Sequence, residues 1–332
     1  MKKNILSVLL ILASFSHLYA QEKLVPLDKE LTNVNYPFGV NFFLFRSQGQ
    51  SLKMAYMDVL PSKPNGKTII LFHGKNFNAA YWEQTINELI KKGFRVIAPD
   101  QVGFGKSTKP ASYQYSFSQL AANTKAILDS LKLSSYMVLG HSMGGMLATR
   151  FAVMYPENTE KLILENPIGL EDYKLLTPYR TIDNEYQSEL KNTLETYRAY
   201  QMKFYYNNNW KPEYERWLNL LAGWTVHKDY SIVAWNASLT SDMIFNQPVI
   251  YDFKDIKCKT LLIIGTRDRT AIGKDRASAE NQEKMGRYDQ LGKKTQKAIP
   301  NSILVQLEDV GHLPHIESFE RFIKPLLDFV EK

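Results

Sequence analysis

The residues best suited to chemistry stand together in Gly140-His141-Ser142-Met143-Gly144. A serine alcohol attacks an acyl carbon only when a base takes its proton and its oxygen stands clear of neighbouring atoms. A sharp turn from strand to helix exposes the oxygen and strains the backbone at the serine. Gly140 and Gly144 lie two residues either side of Ser142, where such a turn leaves no room for side chains. The helix that follows directs the positive end of its dipole at the developing oxyanion. Both neighbours that the motif requires are expected here. Residues 136–140 read as an apolar strand and residues 144–154 as a helix.

The elements that must position this serine alternate along the chain. Residues 40–46 and 52–58 read as strands joined by a turn containing Gly49. Thr68–Phe72 and Arg95–Pro99 are short apolar runs, the pattern of strands buried on both faces, and residues 161–165 read as a further strand. Residues 81–92 and 116–133 read as amphipathic helices between them. Strands resume at residues 260–264 and Ser302–Leu307, and residues 319–331 read as a closing helix. Such alternation implies a mostly parallel sheet with right-handed crossovers. It breaks between Gly169 and Asp255, a segment holding Trp210, Trp217, Trp224 and Trp235, four of the five tryptophans. Residues 189–206 and 213–221 of that segment read as helices. The expected organisation is a leader at 1–20, a sheet domain at 21–168 and 256–332, and a helical insertion at 169–255.

Four further stretches sit where strands end. His73-Gly74-Lys75-Asn76 follows the strand at Thr68–Phe72, and Asp100-Gln101-Val102-Gly103-Phe104-Gly105-Lys106-Ser107 follows the next one. Gly265-Thr266-Arg267-Asp268 follows a late strand, and Gly311-His312 follows the last. With the serine turn, these make the chain resemble the α/β-hydrolase superfamily, specifically members with a serine nucleophile and a helical cap. The resemblance spans residues 40–168 and 256–330, and includes secreted bacterial hydrolases bearing the 73–77 stretch. It implies an α/β fold: a mostly parallel central sheet, flanking helices and an inserted helical cap. It implies Ser142 as nucleophile, His312 as base, Asp268 as acid, and the backbone N–H groups of Lys75 and Met143 as oxyanion donors. His73, Gly74, Gly140, Gly144 and His315 would support the site. Lys75 stands where relatives commonly carry an aromatic, aliphatic or glycine residue. Its side chain would either meet an anionic part of the substrate or lie in solvent.

The base also follows by elimination among six histidines. His17 belongs to the leader. His141 neighbours the serine, and alternation along a strand turns its side chain the other way. His73 reads as a hydrogen-bonded structural residue and His227 as an ordinary polar residue of the insertion. His315 either supports the site or caps the next helix. His312 remains, behind a glycine that lets the last loop turn toward the serine. Asp268 follows the apolar run 261–264 and should emerge at the same sheet edge to orient the imidazole. Pairing with Arg267 or Arg269 is its alternative role, and Glu165 is the reserve acid.

Composition excludes several classes. At 332 residues, 44% apolar and 12% aromatic, the chain has ample material for one large core, and disorder is not expected. A single cysteine, Cys258, allows no intramolecular disulfide, and reads as a small buried residue. The net charge of +7 is scattered, which fits a solvated surface and not nucleic-acid binding. Lys2 and Lys3 precede an apolar run at 5–15, and Ala20 precedes a polar start, so a cleaved secretory leader and an exported protein, periplasmic or secreted, are expected. No stable membrane insertion is expected after cleavage. His312 and His315 alone make no metal site, so neither metal nor cofactor is expected. The partner is a small-molecule substrate. The leading expectation is an ester, thioester or lactone hydrolase acting on a small, moderately apolar substrate. C–C bond hydrolysis, amide or iminopeptide cleavage, and perhydrolysis are the enzymatic alternatives, and a ligand-binding receptor with an idle triad is the non-enzymatic one.

Overall fold

The computed structural model describes residues 24–332, so the expected leader at 1–20 lies outside the described residues. Its centre is one sheet of eight strands: β1 (Val40–Ser47), β2 (Gln50–Val59), β3 (Thr68–Phe72), β4 (Arg95–Pro99), β5 (Tyr136–His141), β6 (Thr159–Glu165), β7 (Lys259–Gly265) and β8 (Ser302–Leu307). The spatial order is β1-β2-β4-β3-β5-β6-β7-β8. β1 and β2 form an antiparallel hairpin that joins β4 antiparallel, and the remaining pairs are parallel.

Strand alternation builds two cores. Ile70, Phe72, Val138, Leu162 and Leu262 face one side, where they meet α2 (Phe117–Ser130), α3 (Met143–Met154) and, further along, α9 (Tyr288–Ala298). Ile69, Leu71, Met137, Leu139, Ile163 and Leu261 face the other, against α1 (Glu83–Lys91) and α11 (Phe319–Val330). Every residue of β3 and β5 is buried. That explains their unbroken apolar runs, since helices cover both faces. Ser116 caps α2, its side chain accepting from the Gln119 N–H.

Between β6 and β7 the chain forms α4 (Ile182–Glu189), α5 (Leu194–Phe204), α6 (Glu215–Ala222) and α7 (Tyr230–Asn246). The helix expected over 189–206 is the shorter α5: a separate helix, α4, ends at Glu189, and Thr193 starts α5 with a capping box to Thr196. α7 and α9 had no counterpart in the sequence reading. α7 buries Asn236, Ser238, Thr240 and Ser241 along with its apolar residues, so polarity does not mark its outer face. α9 buries only Tyr288, Leu291, Gly292 and Thr295, a thin stripe among its lysines. The last two helices to place are α8 (Ala279–Lys284) and α10 (Pro314–Glu317). Cys258 is half-buried at the edge of the core instead of fully enclosed, and burial pushes its thiol up to about 11.

Candidate active site

The C-terminal ends of β3, β5, β6, β7 and β8 gather His73, Ser142, Asn166, Asp268 and His312 at one edge of the sheet. Ser142 follows β5 directly and opens α3 with φ 56° and ψ −122°, a conformation disfavoured for a residue with a side chain. Two glycines permit the turn. A Cβ on Gly140 would collide with the Gly144 carbonyl, and one on Gly144 with the Phe72 carbonyl. The turn is tied down as well: the Ser142 carbonyl accepts from Gly145 at 2.9 Å and from Ile168 at 3.2 Å.

Ser142 Oγ lies 3.0 Å from His312 Nε2, and His312 Nδ1 lies 2.6 Å from Asp268 Oδ2. A carboxylate only accepts, so the neutral histidine donates from Nδ1 and leaves Nε2 as the acceptor facing the serine hydroxyl. All three are buried, with Ser142 7%, His312 2% and Asp268 0% exposed. Asp268 is held by two more donors. Asn166 Nδ2 gives to Oδ2 and the Thr270 N–H to Oδ1, each at 2.8 Å. Neither arginine beside it takes the carboxylate. Arg267 pairs with Asp309 and Glu317, and Arg269 with Asp289.

The reserve acid has a different partner. Glu165 Oε1 accepts from His315 Nδ1 at 2.8 Å and from the His315 N–H at 2.9 Å, both side chains being fully enclosed. His315 lies inside α10, so it does not cap the next helix. Its imidazole stacks on Trp82 with centroids 4.4 Å apart. His73 is the hydrogen-bonded structural residue expected: its Nε2 accepts from the Gln101 N–H at 3.1 Å, and its Nδ1 donates to the Gly74 carbonyl at 2.9 Å. Burial lowers its pKa. The Asp100 loop is also structural, the carboxylate accepting from Ala79, Lys106 and Tyr36.

The loop 73–76 passes directly above the serine. A Cβ on Gly74 would sit 3.1 Å from Ser142 Cβ, so glycine allows the close approach. The backbone N–H groups of Lys75 and Met143 have no hydrogen-bond partner among the described residues. The Lys75 side chain does not lie free in solvent. Its ammonium pairs with Glu189 at 3.1 Å, because α4 ends above the loop and brings that carboxylate to it.

Sequence reasoning missed Asn166 and Tyr205 as residues of this cluster. Asn166 follows a parallel strand at its C-terminal end with φ 35°, and that placement was a usable signal. Tyr205, at the end of α5, stacks on His312 with centroids 5.0 Å apart and planes at 27°. Nothing local singles it out among the many tyrosines of the insertion. A cavity of ≈ 30 Å³ between Lys75, Asn76 and Phe104 on one side and Tyr197, Trp224 and Tyr230 on the other separates sheet domain and insertion. Among the described residues no group of three or more His, Cys, Asp or Glu side chains is gathered around a common point.

The α/β hydrolase fold family model matches residues 67–319. A probable hydrolytic enzyme from Pseudomonas aeruginosa PAO1 is 51% identical with a TM-score of 0.91, the match covering 92% of this chain and 98% of that one. The 2-hydroxy-6-oxononadienedioate/2-hydroxy-6-oxononatrienedioate hydrolase of Comamonas testosteroni is 29% identical over 212 residues, 61% of this chain and 72% of that protein. The 2-hydroxy-6-oxo-2,4-heptadienoate hydrolase of Pseudomonas putida is 33% identical over 107 residues, 32% of this chain but only 39% of that relative. With its eight-stranded sheet and these matches, the chain belongs to the α/β-hydrolase family.

Proposed function

We propose that this protein is a serine hydrolase acting through an acyl-enzyme on a small, moderately apolar ester, thioester or lactone. The observation that carries the reading is the unbroken line Ser142 Oγ–His312 Nε2 at 3.0 Å and His312 Nδ1–Asp268 Oδ2 at 2.6 Å, set at a strained strand-to-helix turn. In the first step Oγ bonds to the acyl carbon while its proton passes to His312 Nε2. The carbonyl electrons move onto oxygen, where the N–H groups of Lys75 and Met143 receive the charge. As the bond to the leaving group breaks, His312 returns the proton to it. A water then repeats the sequence on the acyl-serine, and Ser142 is restored. Asp268 holds the imidazole tautomer and stabilises the imidazolium throughout.

The helices α4–α7 act as a cap that excludes water from this chemistry. The Tyr205 ring over His312 and the Lys75–Glu189 pair support that role. Tyr197, Leu221, Trp224, Tyr230 and Val233 give the cap side of the cavity an apolar lining.

C–C bond hydrolysis of a diketone is the second reading, favoured by the two relatives named for oxo-dienoate hydrolysis. On the same residues the proton from His312 would go to the departing carbon. Export, expected from residues 1–20, belongs to this proposal too, and N-terminal sequencing of the mature protein tests it.

Purified protein should turn over p-nitrophenyl esters of graded chain length, assayed beside a lactone, a dienoate diketone and an aminoacyl anilide. Binding of these compounds without multiple turnovers would leave a receptor and sink the enzymatic reading. Near wild-type turnover by Ser142→Ala, freed of contaminating esterase, would remove the serine mechanism.

A further inference from the structure

Behind Ser142 runs a buried hydrogen-bond chain in which none of the three proposed reacting side chains takes part. The Gly74 N–H donates to the Tyr81 hydroxyl at 2.9 Å. The same hydroxyl lies 3.0 Å from His141 Nδ1, and His141 Nε2 lies 2.7 Å from the backbone carbonyl oxygen of His312. A backbone N–H only donates and a carbonyl only accepts, so the direction is fixed at both ends. Tyr81 accepts from Gly74 and gives its own proton to Nδ1. His141 therefore carries its ring proton on Nε2 and gives it to the His312 carbonyl. One neutral tautomer satisfies every member. Burial, reinforced by the neighbouring His312 and His315, holds the His141 pKa well below the ordinary histidine value and keeps that tautomer neutral.

We propose that His141 and Tyr81 are positioning residues that lock the oxyanion loop to the loop bearing the base, across the nucleophile. The proposal rests on the serine mechanism above. Gly74 immediately precedes Lys75, whose N–H is one of the two oxyanion donors. At the other end, the carbonyl held by His141 is that of His312 itself. Two loops from separate strands, β3 and β8, thus converge on one side chain at the end of β5. Strand alternation turns His141 away from the reacting face, and this is what lets it clamp both loops from behind. Reacting geometry must hold to within about 0.5 Å, and loops drift more easily than strands do. The chain is dry, with His141 0% and Tyr81 3% exposed, so breaking it leaves buried polar groups unpaired.

The test compares wild type, Tyr81→Phe, His141→Gln, His141→Leu and the Tyr81→Phe/His141→Leu double variant. For each, kcat and KM are measured on an activated ester, with the melting temperature and the rate at which a fluorophosphonate labels Ser142. Tyr81→Phe removes one oxygen and keeps the ring against Phe77, Trp82 and His315. It should lower kcat and the labelling rate by about 10- to 100-fold with KM within about twofold, because the loss falls on transition-state geometry. His141→Gln, which keeps a donor for the His312 carbonyl, should be faster than His141→Leu. The double variant should be no slower than the worse single one, since both break one chain.

A Tyr81→Phe enzyme within about twofold of wild type in both rates would overturn the proposal, on the scale set for removing a useful donor. So would losses that add fully in the double variant, or losses that follow the melting temperature and KM. If His141→Leu does not fold, Tyr81→Phe alone carries the decision. Ser142→Ala in the same assay separates the two claims. An inactive Ser142→Ala beside an unimpaired Tyr81→Phe defeats the positioning role only, whereas an active Ser142→Ala defeats the mechanism beneath it.

Discussion

Ser142 holds its positive φ because the sheet, α3 and the Gly145 and Ile168 hydrogen bonds fix both sides of it. Replacement by alanine removes the proposed nucleophile without changing that frame. Ser142→Ala should lower kcat by about four orders of magnitude or more while substrate binding persists. Steady-state hydrolysis together with equilibrium binding of an ester checks both halves. Asp268→Asn should keep the fold and lose about three to four orders of magnitude, since an amide in place of the acceptor favours the wrong histidine tautomer. The two buried histidine–carboxylate pairs should then separate in their effects. His312→Ala takes away the proposed base and should abolish turnover. His315→Ala leaves the fully enclosed Glu165 without its ring partner, and so should act mainly on stability, by about 2–4 kcal/mol. Denaturant titration beside kcat measures this contrast. Equal kcat losses in the two alanine variants would give His315 a role in proton transfer.

At the scale of elements, what the sequence disclosed depended on how local the constraint was. β3 and β4 were readable to the residue, because strands covered on both faces need unbroken apolar runs. The serine turn was readable because Gly140 and Gly144 answer a steric demand within five residues. Tyr205 was not, because its partner His312 is 107 residues away and stacking leaves no local mark. The same holds for Glu189, which meets Lys75 only once α4 has been placed over the loop. The contact between α5 and the base gives a prediction at this scale. Tyr205→Phe keeps the ring on His312 and should stay within about twofold of wild type, whereas Tyr205→Ala should lose roughly 2- to 10-fold in kcat/KM, the range of an aromatic contact. If Tyr205→Phe falls as far as Tyr205→Ala, the hydroxyl and not the stacked ring is what the site uses.

Across the whole molecule, the first described segment stitches the insertion to the sheet domain. The Leu27 N–H donates to the Gly223 carbonyl, and Trp224 Nε1 donates to the Asp28 carbonyl. A few residues on, Glu30 pairs with Lys53, the Leu31 carbonyl accepts from Lys106 Nζ, and the Tyr36 hydroxyl donates to Asp100. Lys109 is buried at this junction. Its Nζ donates to the Gly105 carbonyl at 2.7 Å and lies 5.4 Å from the centre of the Trp224 ring. Burial lowers its pKa to about 7, against the raising influence of Asp100, Glu30 and Asp28, while Lys29 adds to the lowering. The sign follows from proton counting. Between about pH 7 and the ordinary lysine value the unfolded chain binds the proton that the folded chain has released. Stability at this site therefore rises with pH across that window, and the cost of burying the charge is fully present below it. In urea titrations from pH 7.5 to 9.5, Lys109 should contribute a rise of up to about 1.4 kcal/mol per pH unit. Lys109→Met keeps the length of the side chain without the titrating group. It should be more stable than wild type at pH 7, and its stability should depend less steeply on pH by that amount. Parallel pH profiles for the two proteins would show that Lys109 keeps an ordinary pKa and that this junction is open to water.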